Sequence, residues 1–365
     1  MDTRVTNAIP HSPTRHRRRL RATLSWLHLW VGLTVGTLFA LVGLAGTVLV
    51  FQDELLTLQH PTLTQHAPVA DGHVLGALIE RWSPEGLNSL DLPSDELPVW
   101  EGHFKGGRRA YFAPEDGAWL LTRSQDDDAV LWLRAWHTKL LGGETGEKVL
   151  GIVGCIALGL LLSGLYLWWP RHGRVRAHLK MHSGPPVRRW LTWHRTTGAV
   201  LLPLLLLATL TGVGMVYSKA VQSALIAMFG GEAVKPSKTP RQGKSLDWAT
   251  VLDRADTALP GARLSRLSAP KPGDGTIAFR ARADGEWHPV GRSLVLIHAD
   301  DARLLKTYDA TGNGLGSRMS DAIYPLHTGA VGGTLMKYLT ALTGLLPAFM
   351  LVTGFLFWRR RRARH

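Results

Sequence analysis

Four stretches of this chain are each long and apolar enough to cross a lipid bilayer, and that constrains nearly everything else. A helical span needs about 20 mainly apolar residues. Residues 26–51, 149–169, 194–217 and 335–358 meet this and hold almost no charge. Hydrocarbon offers no water to bond the backbone, so these segments are expected as helices. The rest of the chain falls into an N-terminal segment 1–25, inserts 52–148 and 218–334, a loop 170–193 and a tail 359–365. The first span does not read as a cleaved signal peptide. Its apolar run exceeds the 7–15 residues of such a segment, and no small-residue cleavage pattern follows.

Charge sets the expected orientation. Lys and Arg number 42 against 28 Asp and Glu, a formal net charge of +14. Seventeen of these cations lie in 1–25, 170–193 and 359–365, among them Arg4, Arg15, Arg171, Arg174 and Arg364, and they face one acid, Asp2. All three segments fall on one side of a four-span topology. The positive-inside rule makes that side cytoplasmic, with both termini there. The basic excess is thus a topology signal; the expected partner is the lipid bilayer, with no nucleic acid. Most of the Trp near these span ends read as an interfacial belt. The single cysteine, Cys155, excludes an intramolecular disulfide, a covalently attached haem and a Cys-based metal site.

The two inserts then face the other side. In the second, 246–259 reads as an amphipathic helix, followed by strand-like runs at 276–282, 293–298 and 303–308. The first repeats this order with a helix at 74–81 and strands at 98–104, 109–112 and 119–122. Helix followed by antiparallel strands predicts a small α+β domain, twice.

The chain also carries a duplication. With His137 placed on His327, Thr138 meets Thr328, Gly142-Gly143 meets Gly332-Gly333, Gly154 meets Gly344, Gly164 meets Gly354 and Trp168 meets Trp358, without a gap. A second alignment puts His28 on His194, Gly32 on Gly198 and Gly46 on Gly212. Helices one and two therefore repeat as helices three and four. The fold class expected is a mainly α membrane protein, a duplicated two-helix repeat with two small domains. Each repeat has one His at the inner end of its first helix and one at the outer end of its second. A pseudo-two-fold axis along the membrane normal brings equivalents together, so His28 faces His194 and His137 faces His327.

A neutral His–His pair between membrane helices suits haem b, whose iron takes two axial imidazoles. His28, Gly32, Gly36, Gly43 and Gly46 lie within an arc of about 80° on a helical wheel. Such glycines let a flat ring approach the backbone; they equally serve plain helix–helix packing. A His at a membrane end is otherwise an interfacial or proton-relay residue. A non-haem metal fits less well, because no carboxylate, Cys or Met shares the repeated positions. The glycine pairs weaken a continuing helix, so His137 and His327 are expected on short segments outside the spans. Arg134, Lys139 and Arg318 near the outer pair, and Arg189 and Arg195 near the inner, are candidate propionate partners or ordinary interfacial charge. Pro203 and Pro347 are candidate kinks in helices three and four. The remaining histidines, including His11, His103, His172, His288, His298 and His365, are expected on solvated surface.

Several of these residues resemble one family. Trp26-Leu27-His28-Leu29-Trp30-Val31-Gly32, the run from Leu44 to Phe51, Tyr324-Pro325-Leu326-His327-Thr328-Gly329 and the ending Thr353-Gly354 to Trp358-Arg359 resemble the PepSY-associated transmembrane family. The inserts resemble PepSY domains, and Ala258-Leu259-Pro260-Gly261 with the run from Ser293 to Asp300 is the better copy. Where the family usually has Thr before the glycine ending the first helix, this chain has Ala45, a departure expected to touch packing and not the ligands. The resemblance implies an inner-membrane protein of Gram-negative bacteria, in some members a ferrisiderophore reductase with two b-type haems.

Taken together, the expectation is an electron wire with two non-covalent, bis-histidine haem b groups, on His28 with His194 and on His137 with His327. The donor would be a separate cytoplasmic reductase or quinol, because the chain has no dinucleotide fingerprint. The acceptor would be a ferrisiderophore or other periplasmic iron chelate. Iron(III) is held tightly by hard oxygen ligands and iron(II) far more weakly, so reduction releases it. Two rivals remain open at this point. One is a PepSY binding or sensory protein anchored without redox activity. The other is a transporter, which spans without deep charge serve poorly.

Overall fold

The computed structural model describes residues 13–170, 175–234, 239–240, 246–269 and 273–363. Asp2, Arg4, His11, Arg171, His172, Arg174, Arg364 and His365 lie outside the described residues, as do the side chains of Arg15 and His16. Leu, Val, Ala and Gly dominate three helices long and apolar enough to cross a membrane: α1 (Pro13–Leu49), α5 (Gly143–Trp168) and α12 (Gly333–Arg362). The expected third span is broken. Helices α7 (Pro186–Val200) and α8 (Leu202–Val216) meet at Leu201 with a bend of 62°, and count as a fourth span if taken as one. Pro203 supplies the reason, since its ring nitrogen has no hydrogen for the Ala199 carbonyl. Pro347 lies inside α12 without breaking it.

Shorter helices join these spans. Helix α2 (Gln52–Gln59) directly follows α1, α6 (Val175–His178) lies in the basic loop, and α9 (Ser218–Phe229) follows α8. Helix α4 (Ala129–Lys139) precedes α5, and α11 (Leu315–Thr328) precedes α12. Both stop in the left-handed region, α4 at Leu140 (φ 46°) and α11 at Gly329 (φ 73°). The equivalent Gly143 and Gly333 follow at φ 57° and 64°, a backbone that side chains resist. His137 and His327 therefore sit on short helices outside the spans, as the glycine pairs predict.

The inserts differ from expectation in one respect. They do not form two separate domains, because their strands make one antiparallel sheet. The first insert supplies β1 (Leu87–Asp91), β2 (Trp100–Phe104), β3 (Arg109–Phe112) and β4 (Trp119–Arg123). The second supplies β5 (Ala262–Ser268), β6 (Thr276–Ala283), β7 (Ser293–His298) and β8 (Leu304–Tyr308). Their order is β4-β3-β2-β1-β5-β6-β7-β8, with β1 and β5 paired through Ser89–Ser268, Leu90–Leu267 and Asp91–Arg266. Four short strands and one helix bury little apolar surface alone and leave an open edge. Joining them at β1 and β5 pools the core and pairs one edge of each half, leaving β4 and β8 as the outer edges.

Helix α3 (Gly72–Trp82) and helix α10 (Trp248–Thr257) cover one face of this sheet. Each begins on an aspartate cap: Asp71 accepts from the His73 and Val74 amides, and Asp247 from the Ala249 amide. A single core spans both inserts, with Leu75, Leu90 and Trp100 from the first and Val251, Leu267 and Phe279 from the second. The helices touch at glycine. A Cβ on Gly72 would lie 2.8 Å from the Trp248 carbonyl oxygen and 2.8 Å from the Ala249 amide nitrogen. Gly72→Val is therefore expected to destabilise the sheet domain by about 1–3 kcal/mol, read as an earlier thermal transition of the purified chain.

The chain divides into two units. One takes in α1 as far as Leu44, then Ile152–Leu210, then α12 from Thr343. The other takes in Ala45–Gly151 and Thr211–Leu342, with the sheet, α4 and α11.

Candidate functional site

Each unit holds one histidine pair. In the first, the His28 and His194 ring centres are 6.2 Å apart with planes at 87°. In the second, His137 and His327 are 6.1 Å apart at 45°. All four rings are half-buried.

The same local construction recurs at all four. Each imidazole lies against a glycine, where a Cβ would crowd the ring. A Cβ on Gly164 would come 3.2 Å from His28 Cε1, and one on Gly354 3.3 Å from His194 Cε1. One on Gly46 would come 2.8 Å from His137 Cε1, and one on Gly212 3.1 Å from His327 Cε1.

The residue before the glycine reaches Nδ1 of the same ring in three cases. His28 Nδ1 lies 2.9 Å from Ser163 Oγ, His194 Nδ1 3.3 Å from Thr353 Oγ1, and His327 Nδ1 3.0 Å from Thr211 Oγ1. Ser163 donates its own proton to the Leu160 carbonyl at 2.9 Å, and Thr353 donates to Phe349 at 2.8 Å. Those oxygens therefore accept from Nδ1–H. His194 Nδ1 also donates to the Met350 carbonyl at 2.9 Å. A proton held on Nδ1 leaves the Nε2 lone pair as the ligating one. The fourth glycine follows Ala45, which has no hydroxyl. That departure from the repeat concerns the surroundings of a candidate ligand, not packing alone.

The small-residue stripe on α1 divides by role. Gly43 packs on α12, where a Cβ would meet Pro347 Cγ at 3.3 Å. Gly46 backs His137. Gly32 and Gly36 instead line a cavity of about 690 Å³ that also reaches His28 and His194. A Cβ on Gly32 would meet nothing within 4 Å. Leu33, Phe39, Leu161 and Leu202 make this cavity largely apolar, while Arg18, Arg21, Arg195 and Arg361 also line it. Arg21 donates to the Leu167 carbonyl. Of the cations expected near this pair, Arg195 is present. Arg189 instead stacks on Trp190 at 4.9 Å. In the other unit, Arg134 precedes His137 by one turn and donates to Gln52 Oε1 at 3.0 Å, while Lys139 and Arg318 are exposed.

Some histidines expected on solvated surface are not there. His298 is buried, with Nδ1 3.0 Å from Asp301. His103 Nε2 lies 3.0 Å from Asp91 Oδ2, and Arg266 grips the same carboxylate through two nitrogens. His288 packs on Tyr324 with ring centres 4.9 Å apart. These positions have no repeat partner, so only three-dimensional placement reveals them.

Residues 25–361 match the family described as the PepSY-associated TM region. No curated protein matches the chain.

Proposed function

The chain therefore belongs to the PepSY-associated TM region family, and we propose that this membrane protein is a di-haem electron carrier that reduces an iron(III) chelate such as a ferrisiderophore. The supporting observation is the pair of histidine pairs. Two imidazole–metal bonds of about 2 Å each, plus roughly 1 Å from each nitrogen to its ring centre, require centres about 6 Å apart. The separations of 6.2 and 6.1 Å fit that requirement. A pair in direct hydrogen bond would sit closer, and two interfacial residues would have no reason to repeat the spacing.

The surroundings fit haem b as well. Gly32 and Gly36 leave room for a flat ring beside His28 and His194. The apolar lining suits its macrocycle, and Arg18, Arg21, Arg195 and Arg361 suit its propionates. Held by two imidazoles, haem supplies a one-electron iron(III)/iron(II) couple. The chain's residues would hold and orient it: Ser163 and Thr353 fix ring rotation and tautomer, Thr211 holds the His327 ring, and the backing glycines let the imidazoles seat against the helices. Breaking such a bond typically costs 10–100-fold in metal affinity. Thr211→Val is thus expected to release haem from the His137–His327 pair on dilution, while the other pair retains its own.

The basic segments favour a bacterial inner membrane with both termini cytoplasmic. The sheet then faces the periplasm, where the acceptor is, and a separate cytoplasmic reductase or quinol is the donor. The test is the absorption spectrum of detergent-purified protein with a pyridine haemochrome count. About two haem b per chain are expected. A colourless protein from haem-replete cells would overturn the reading and leave a PepSY-type binding or sensory anchor.

A further inference from the structure

The sheet's second face, opposite α3 and α10, buries Tyr111 of β3 against Leu56 and Leu63 at one end, but across its centre carries charge where a core would carry methyl groups. Directly paired residues run from Glu101 on β2 through Asp91 on β1, Arg266 on β5 and Arg280 on β6 to Leu294 on β7. The first half of this row is satisfied internally: Arg109 pairs with Glu101 at 2.6 Å, and Arg266 with Asp91. The second half is not. Arg280 faces Arg266 across the strands, an arrangement of like charges that disfavours the sheet. It is half-buried, and among the described residues its guanidinium forms no ion pair and one long 3.5 Å hydrogen bond, to the Gly291 carbonyl.

More cation gathers beside it. Arg292 sits where the loop after β6 enters β7, with Nε 3.6 Å from Asp321 on α11. Glu286, in the same loop, is occupied by the Ala283, Arg292 and Ser293 amides and the Ser293 hydroxyl. The same loop brings His288 against Tyr324. Val290 N–H donates to His288 Nδ1 at 3.2 Å, so the proton is on Nε2, which remains a donor. Burial, with Arg292, Arg280, Arg266 and Arg282 around it, pushes the His288 pKa down to about 3. Burial also pushes the Asp321 carboxyl up from its ordinary range, against the opposing pull of Arg292 and Arg280. The place is reachable: Arg292 is about one-third exposed, and Trp287 and Arg282 are exposed. Tyr324 precedes His327 by one helical turn on α11.

We propose that Arg280 and Arg292, with the Nε2–H of His288 and the hydroxyl of Tyr324, form a docking site for a negatively charged, polycarboxylate-type iron(III) chelate. The anion supplies the charge that Arg280 lacks and relieves its opposition to Arg266. That the guest carries iron rests on the electron-transfer reading above; that it is anionic rests on the arginines alone.

The test is calorimetric titration of the full-length, detergent-purified chain with gallium(III) citrate, a redox-inert anionic chelate. Binding is expected in the unmodified chain and at least tenfold weaker in Arg280→Gln, with Arg263→Gln, on the exposed β5 rim, unchanged. Raising salt from low to high ionic strength should weaken binding several-fold in the unmodified chain, which keeps the proposal testable should Arg280→Gln fail to fold. Salt-insensitive binding, equal binding by a folded Arg280→Gln, or no binding to the unmodified chain would each overturn it. A haemochrome count on the same samples separates the two readings. Lack of haem defeats electron transfer without touching the calorimetry, and lost binding at full haem content isolates the docking site.

Discussion

His194→Ala is expected to lower the haem content of the purified chain from about two to about one, and His327→Ala to do the same at the other pair. Removing one imidazole would take away one of the two protein bonds proposed to hold the iron, and retention through purification is expected to weaken accordingly. Double variants then distinguish which histidines act together. If His28 pairs with His194, the variant lacking both still carries one haem, whereas one lacking His28 and His327 carries none. Pairing of His28 with His327 would exchange these results. The ring separations of 6.2 Å and 6.1 Å favour the first outcome. If the two proposed haems act one after the other, electron delivery to an iron(III) chelate should fall to background in every single variant. Retention of both haems in His137→Ala or His327→Ala would remove the ligand assignment there.

Much of this site was legible in the sequence because duplication writes the same requirement twice. His28 and His194 align with their glycines, and so do His137 and His327; no local propensity rule would have selected them. The short helices α4 and α11 were legible for a plainer reason, since Gly142-Gly143 and Gly332-Gly333 interrupt an apolar run. The hydroxyls of Ser163, Thr211 and Thr353 were visible as letters without a role. Only the packing of each ring on the following glycine shows that the preceding residue reaches Nδ1.

The joined sheet was hidden for a different reason. Strands β1 and β5, which connect the inserts, read Leu-Asn-Ser-Leu-Asp and Ala-Arg-Leu-Ser-Arg-Leu-Ser. Asn, Ser, Asp and Arg are weak strand formers, and neither run has the branched or aromatic residues of β6 and β7. Their stability comes from elsewhere in the fold. Leu90 and Leu267 pair in the shared core, and Asp91 meets Arg266 on the far face. Both terms exist only after the two strands have found each other across 175 residues of chain. A reading that works along the sequence therefore loses the central pair and keeps the outer strands. The break at Leu201 was half legible, since Pro203 marks it, but the equally apolar Pro347 segment continues as a helix.

The glycine stripe on α1 provides a prediction of large and opposite effects at neighbouring positions. Gly46→Leu is expected to lose the haem proposed for His137 and His327 and to keep the other. Its Cβ alone would lie 2.8 Å from His137 Cε1, and a helix backbone cannot yield that distance, so the imidazole must leave its place. Gly32→Leu acts by occupation instead. Nothing lies within 4 Å of a Cβ there, and the cavity of about 690 Å³ beside it accepts the side chain without strain. The haem at His28 and His194 should be lost while the haem-free protein melts at the same temperature or higher, because a filled apolar cavity gains packing contacts. Were the stripe only a helix-packing face, Gly32→Leu would wedge two helices apart and lower that temperature. A thermal melt with a haem count on Gly32→Leu and Gly46→Leu separates the two uses of glycine on one helix: space left for a guest near Gly32, and close support for a ligand at Gly46.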